Sequence, residues 1–236
     1  MKNSHFEGKS VVEHLKAARA KGALASAEIH GTEMPGHISA AADSARETSV
    51  IFLLVSILFP LHLKNLLLLA SGLFFWKVGR SALLGWARLE RLHRLIEEER
   101  WEIEHHREQE REELTALYRA KGLTGKLLDE TITVLMADDN RLLGVMLEEE
   151  LGVTLEIYEH PLKQSLGAGV GVLFASALFL GGTFFGHWGP LLAVTMAVMV
   201  AALVAAKSEK NRLLEAVIWT LSVAAFAIGT TYFLTT

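Results

Sequence analysis

Cysteine is absent from the sequence. That removes disulfides, thiolate metal sites and cysteine nucleophiles from consideration. Any soft metal ligand must be one of the six methionines or ten histidines. An excess of positive charge is missing too. The formal net charge is −4, so a basic surface for nucleic acid is not indicated. The first residues are polar and lack the apolar stretch of a secretory signal peptide. What the chain has in quantity is apolar surface. Hydrophobic residues make up 51% of it, and the mean hydropathy is +0.30. These values are high for a soluble protein and low for one wholly embedded. Several apolar spans with one polar block fit them.

Residues 1–42 read as a polar cytosolic arm. Val11 to His30 has helical composition, and Gly31 to Gly36, with Pro35, breaks it. His5, His14, His30 and His37 lie here with Glu28 and Glu33. The arm is either a solvated segment at the membrane surface or an accessory collector of metal. Residues 43–87 read as a transmembrane hairpin. Its first span, about Asp43 to Leu63, reaches the ~20 residues of a helical span only if Asp43, Arg46 and Glu47 enter the membrane edge. The second runs from Asn65 to about Trp86, after a link, HLKN, that allows only a tight turn.

Neither Gly nor Pro separates the second span from the stretch Leu89 to Leu114, LERLHRLIEEERWEIEHHREQEREEL. The helix is therefore expected to run on to about Tyr118. Arg119 to Thr124 is a stop, with Gly122 as the residue after the cap. Two amphipathic helices follow, Gly125 to Asp139 and Asn140 to Val153, completing a polar block over 88–163. Residues 164–236 hold three more spans, about Ser165 to Phe185, Trp188 to Ala206 and Leu213 to Leu234. The expected fold is all-α, an integral membrane protein of five transmembrane helices with a cytosolic three-helix domain inserted between spans 2 and 3. Lys and Arg concentrate in the N-terminal arm, after the second span and between the last two spans. With five spans all three regions fall on the cytosolic side, and the C-terminus lies opposite.

The polar block carries the chemistry. Glu99, Glu102, Glu110 and Glu113 are spaced 3, 8 and 3. At about 100° per residue they fall within an arc of about 80°, and His106 falls on the same arc. Like charges stacked this way repel, and a cation would explain the stripe. Carboxylates with an imidazole suit Fe²⁺, Mn²⁺ or Zn²⁺ better than Ca²⁺. The third helix adds Met146 and Glu150, spaced for one face, and a thioether biases a site away from Mg²⁺ and Ca²⁺. A plain solvated acidic face, with Met146 in a core, is the competing reading. Glu102 and His105 match the Glu-x-x-His of di-iron bundles, which need the motif on two separate helices with two further Glu-bearing helices; Glu90 and His93 repeat the spacing on the same stretch as the first.

On Glu110 to Thr124 (EREELTALYRAKGLT), Met146 to Val153 (MLEEELGV) and the order of spans around them, the chain resembles the vacuolar iron transporter family over roughly residues 38–234. The resemblance implies a homodimer in a lipid membrane that exchanges Fe²⁺ and related divalent ions for protons. It implies metal ligands at Glu99, Glu102, Glu110, Glu113, Met146 and Glu150, and the helix angles add His106 as a possible accessory position. The family's Met-Met-x-x-Glu run stands here as Met146, Leu147 and Glu150, one methionine short.

The membrane half departs from the family. Asp43 is followed by Ser44 where the family has Asp-Gly. Ser81-Ala82-Leu83-Leu84-Gly85-Trp86 lacks the Met and Glu of its second-span motif, and Lys77 and Arg80 appear instead. If the hairpin turns near Lys64, Arg80 lies level with Thr48, next to Glu47. Buried membrane charges need partners, so an Arg80–Glu47 contact is predicted, with Lys77 snorkelling or paired to a neighbour. Asp43, Glu47 and Arg80 are the candidate residues of a transport path. The function expected is export of divalent metal from the cytosol, Fe²⁺ before Mn²⁺ or Zn²⁺, by proton exchange. A transporter, not an enzyme, is expected, in a bacterial inner membrane or an organelle membrane. The alternative is a membrane-anchored metal-binding or sensing protein that has lost transport.

Overall fold

A computed structural model describes residues 10–26, 36–60, 62–152 and 159–235, with backbone alone for 21–26. Among the described residues every regular element is a helix: α1 (Val11–Ser26), α2 (Gly36–Leu58), α3 (Leu63–His105), α4 (Arg107–Ala120), α5 (Gly125–Leu135), α6 (Asp139–Glu149), α7 (Pro161–Thr183), α8 (Gly189–Ser208) and α9 (Leu213–Thr235). The expected break between Gly31 and Gly36 falls largely outside the described residues, as do His5, His30, Glu28 and Glu33. Two compact units emerge. One comprises Met1–Ala27 and Ala87–Tyr158, the other Glu28–Trp86 and Glu159–Thr236.

The first unit packs around a core that includes Leu92, Ile103, Leu114, Ile132, Leu142 and Leu147. Local chemistry sets its helix ends. Gly122 has φ +95° and follows the α4 cap residue Lys121, as the stop signal predicted. Asp138 caps α6 by accepting a bond from the Arg141 amide at 2.8 Å. One break was not expected. The helix carrying the acidic stripe does not run to Tyr118 but is interrupted at His106, with φ −126° and ψ 31°. The adjacent imidazoles of His105 and His106 both pack on Trp101, with centroid distances of 4.5 and 5.4 Å. No Gly or Pro marks the spot, so the pattern gave no warning.

The second unit is built on α2, α7, α8 and α9. Pro161 opens α7 at its first turn, where a missing amide costs nothing. α2 and α7 run parallel in near backbone contact. A Cβ at Gly167 would lie 2.0 Å from the His37 carbonyl oxygen, and one at Gly171 would lie 2.1 Å from that of Ala41. This is the small-residue seam of packed membrane helices. α3, α7, α8 and α9 are long and apolar enough to cross a membrane. α2 is 23 residues long but contains Asp43, Arg46 and Glu47 and does not reach that apolarity.

Candidate metal site

Four helices of the first unit supply the polar cluster. α3 brings Glu99, α4 brings Glu110 and Glu113, α6 brings Met146 with Glu150 as its cap residue, and α1 brings His14. The four carboxylates are 3%, 0%, 0% and 2% exposed in sequence order, and Met146 is fully buried. Donor atoms of Glu99, Glu110 and Glu150 all lie within 4.8 Å of one another, and so do those of His14, Glu113 and Glu150. Glu150 therefore belongs to both groups. Glu102 is half-buried and near enough to influence Glu99 and Glu110.

Carboxylates removed from water resist ionisation. Burial, followed by the charge of Glu150, pushes Glu99 up to about 10, Glu110 to about 8 and Glu113 to about 11. Three cations of this unit have partners outside the cluster. Lys121 pairs with Glu149, Arg19 donates to the Glu149 carbonyl at 3.1 Å, and Arg107 pairs with Asp139 at 2.6 Å. Glu99 Oε1 is buried with no hydrogen-bond partner among the described residues. Such a set can hold protons or a metal cation, and a cation would displace protons on entry.

His106, expected as an accessory ligand, belongs to neither group. It sits half-buried at the helix break, edge-on to Trp101. His105 is exposed, stacks on Trp101 and bonds the Trp101 carbonyl at 2.9 Å, so the Glu-x-x-His pair is not assembled as a ligand pair. The imidazole that does join the carboxylates is His14. Sequence reasoning placed it only within a histidine-bearing arm. Its spacing to Ala18, which is buried in the core, was the available signal, since positions four apart share a helix face.

In the second unit Asp43 is half-buried and bonds Arg46 at 3.3 Å. The predicted Arg80–Glu47 contact is not formed. Glu47 pairs with Lys77, which is 7% exposed, while Arg80 is exposed. Lys77 lies one turn before Arg80. α2 ends at Leu58 and α3 starts at Leu63, so the link lies before Lys64, and Glu47 meets a residue about one turn earlier on α3 than expected. Beside this pair, Arg46 and Glu47 rim an otherwise apolar cavity of about 610 Å³ between α2, α8 and α9. Near the start of α7, His37 of α2 bonds Glu159 through its amide at 2.6 Å and through its ring. Burial alone would raise the Glu159 pKa, but bonds from Lys163 and His37 outweigh it and hold the carboxyl below its usual range.

Neither a curated protein nor a solved structure matches the chain. The model of the VIT family matches residues 87–236. The matched region takes in the whole acidic stripe, Met146, Glu150 and the three helices after the polar block. It begins just past Ala82 and Trp86, where the second span departs from the family motif. With buried carboxylates in one unit and membrane-length apolar helices in the chain, this match over most of its length places the protein in the VIT family of vacuolar iron transporters, membrane proteins that carry metal ions.

Proposed function

We propose that this protein moves divalent metal, Fe²⁺ before Mn²⁺ or Zn²⁺, out of the cytosol in exchange for protons. The observation carrying this reading is the burial of Glu99, Glu110, Glu113 and Glu150 in two donor groups that share Glu150. Four carboxylates in an apolar core are costly unless protonated or bound to a cation. Met146, one turn before Glu150 on the same helix, would add a thioether that favours softer cations. The cluster, with Glu102 at its edge, would collect cargo. Asp43 would stand at the mouth of the path. α2 would be the first of five spans, its charged turn at the cytosolic membrane edge. The three Lys/Arg-rich regions would then share the cytosolic side with the N-terminus and the polar block. Exposed apolar residues on α3, among them Leu67, Leu68, Phe75 and Trp76, fit a homodimer seam within the lipid.

One observation favours a second reading, a membrane-anchored metal sensor without transport. Lys77 already neutralises Glu47, and a dication path gains nothing from a fixed ammonium. Flux separates the two. Full-length protein in liposomes should carry Fe²⁺ inward or outward under a proton gradient and lose that flux in Asp43→Ala. Metal binding without flux would select the sensor. Protein that neither binds nor moves metal, with Glu110→Ala and Glu113→Ala changing nothing, would remove both readings.

A further inference from the structure

We propose that His14 is a direct ligand of the cation held by Glu113 and Glu150, so that α1 closes the cluster with an imidazole nitrogen. The proposal rests on reading the buried carboxylates as a metal site and adds a donor from a separate helix.

The geometry carries it. His14 Nε2 stands 3.6 Å from Glu113 Oε1 and 3.4 Å from Glu150 Oε1. Charge-assisted hydrogen bonds run to about 2.7–2.9 Å, so both distances are long for direct bonds. They are close to the spacing of two ligands on one ion. Metal–ligand bonds of about 2.0–2.1 Å in a tetrahedron set neighbouring donors about 3.3 Å apart. The three donors lie within 4.8 Å of each other.

Packing independent of the cluster holds His14 there. Ala18, on the same face of α1, is buried in the core of the unit. Arg19 anchors the next position to the Glu149 carbonyl at 3.1 Å, beside Glu150. α1 is thus docked one turn beyond His14 by contacts that do not involve a metal. A second, separate feature points to a ligand. Glu99 Oε1 is buried without a hydrogen-bond partner among the described residues and is aimed at the adjoining group with Glu110 and Glu150. The set His14, Glu113 and Glu150 offers one imidazole nitrogen and two carboxylate oxygens. That chemistry selects Zn²⁺, Fe²⁺ or Co²⁺ over Mg²⁺ and Ca²⁺.

The test uses the full-length protein in detergent, Co²⁺ as optical probe and Mg²⁺ as control. His14→Ala and the bulkier His14→Gln should each weaken Co²⁺ binding by at least about tenfold, the lower end of what losing even an outer-shell partner costs. Both should shift the visible Co²⁺ absorption through loss of a nitrogen donor, with the thermal midpoint of the metal-free protein unchanged. Weakened binding with an unchanged spectrum would make His14 a positioning residue and overturn the ligand assignment. Wild-type affinity and spectrum in both variants would also overturn it, leaving the carboxylate site intact if Glu113→Gln and Glu150→Gln still lose Co²⁺. Wild-type protein that binds no Co²⁺ would overturn the ligand assignment and the metal site together.

Discussion

At the scale of single residues, the buried carboxyls make the first unit sensitive to pH in a defined direction. Glu113 and Glu110 titrate at about 11 and about 8, raised first by burial and then by Glu150. The folded state therefore holds protons that the unfolded chain, titrating near 4.5, would release. Stability from these groups is complete below the unfolded value and is lost as pH rises toward the folded values. With chelator present, the melting temperature should fall between pH 5 and pH 9, the fall should be shallower in Glu113→Gln, and Fe²⁺ should restore more stability at pH 9 than at pH 5. Scanning calorimetry across that series checks all three. The membrane pair obeys a different asymmetry. Lys77 is buried while Glu47 is largely exposed, so removing the acid strands an ammonium and removing the base does not. Glu47→Gln should cost about 3 kcal/mol, the range for breaking a buried pair from one side, and Lys77→Met much less, read as thermal shifts in detergent. Residue identity was legible at the cluster: Glu99, Glu110, Glu113 and Glu150 are visible in the chain by their spacing, and these four carboxylates lie in two groups joined by Glu150, while Met146 packs in the hydrophobic core. His14 was not legible as a partner, because nothing local to a histidine on a short polar helix says which distant helix it will face.

At the scale of elements, glycine position decides what a helix can touch. α2 and α7 meet where Gly167 and Gly171 leave no room for a side chain. Gly171→Ala would drive a methyl into the Ala41 carbonyl and should cost about 1–3 kcal/mol as the helices part. Gly144 of α6 has nothing within 4 Å of its missing Cβ, so Gly144→Ala should gain up to about 1 kcal/mol from helix propensity alone. Paired melting curves of the two variants decide it, and equal effects would show that the α2–α7 seam is not tight. Helix ends marked by a strong local signal were readable, as at Gly122 and Pro161. The interruption at His106 was not, because no residue that forbids helix stands there. The hairpin register was misjudged for a related reason. A turn whose centre is uncertain by two residues moves the pairing by a full helical turn, which is the difference between Arg80 and Lys77 opposite Glu47.

At the scale of the whole molecule, the periodicity of apolar runs announced an all-helical membrane protein, and four helices satisfy that by length and composition. α2 remained ambiguous because its charged turn does two jobs in one segment, partnering Lys77 and lining a cavity. Self-association is testable at this scale. The apolar face of α3 bearing Leu68 and Phe75 is uncovered, and in nanodiscs the protein should behave as a dimer by mass and cross-linking. Phe75→Glu should shift it to monomer, whereas a wild-type monomer would remove the seam. α9 is the other thinly covered helix. Of its 23 residues only Ala224 is buried, and Trp219, Phe226 and Phe233 point outward. At about 1.5 Å per residue it is slightly longer than a bilayer core of about 30 Å, so a change of bilayer thickness changes the mismatch it must absorb. It also lines the cavity beside Arg46 and Glu47. Changing acyl-chain length in nanodiscs should then alter access to that cavity, and no change would show that packing on α2 and α8 alone holds α9 in place.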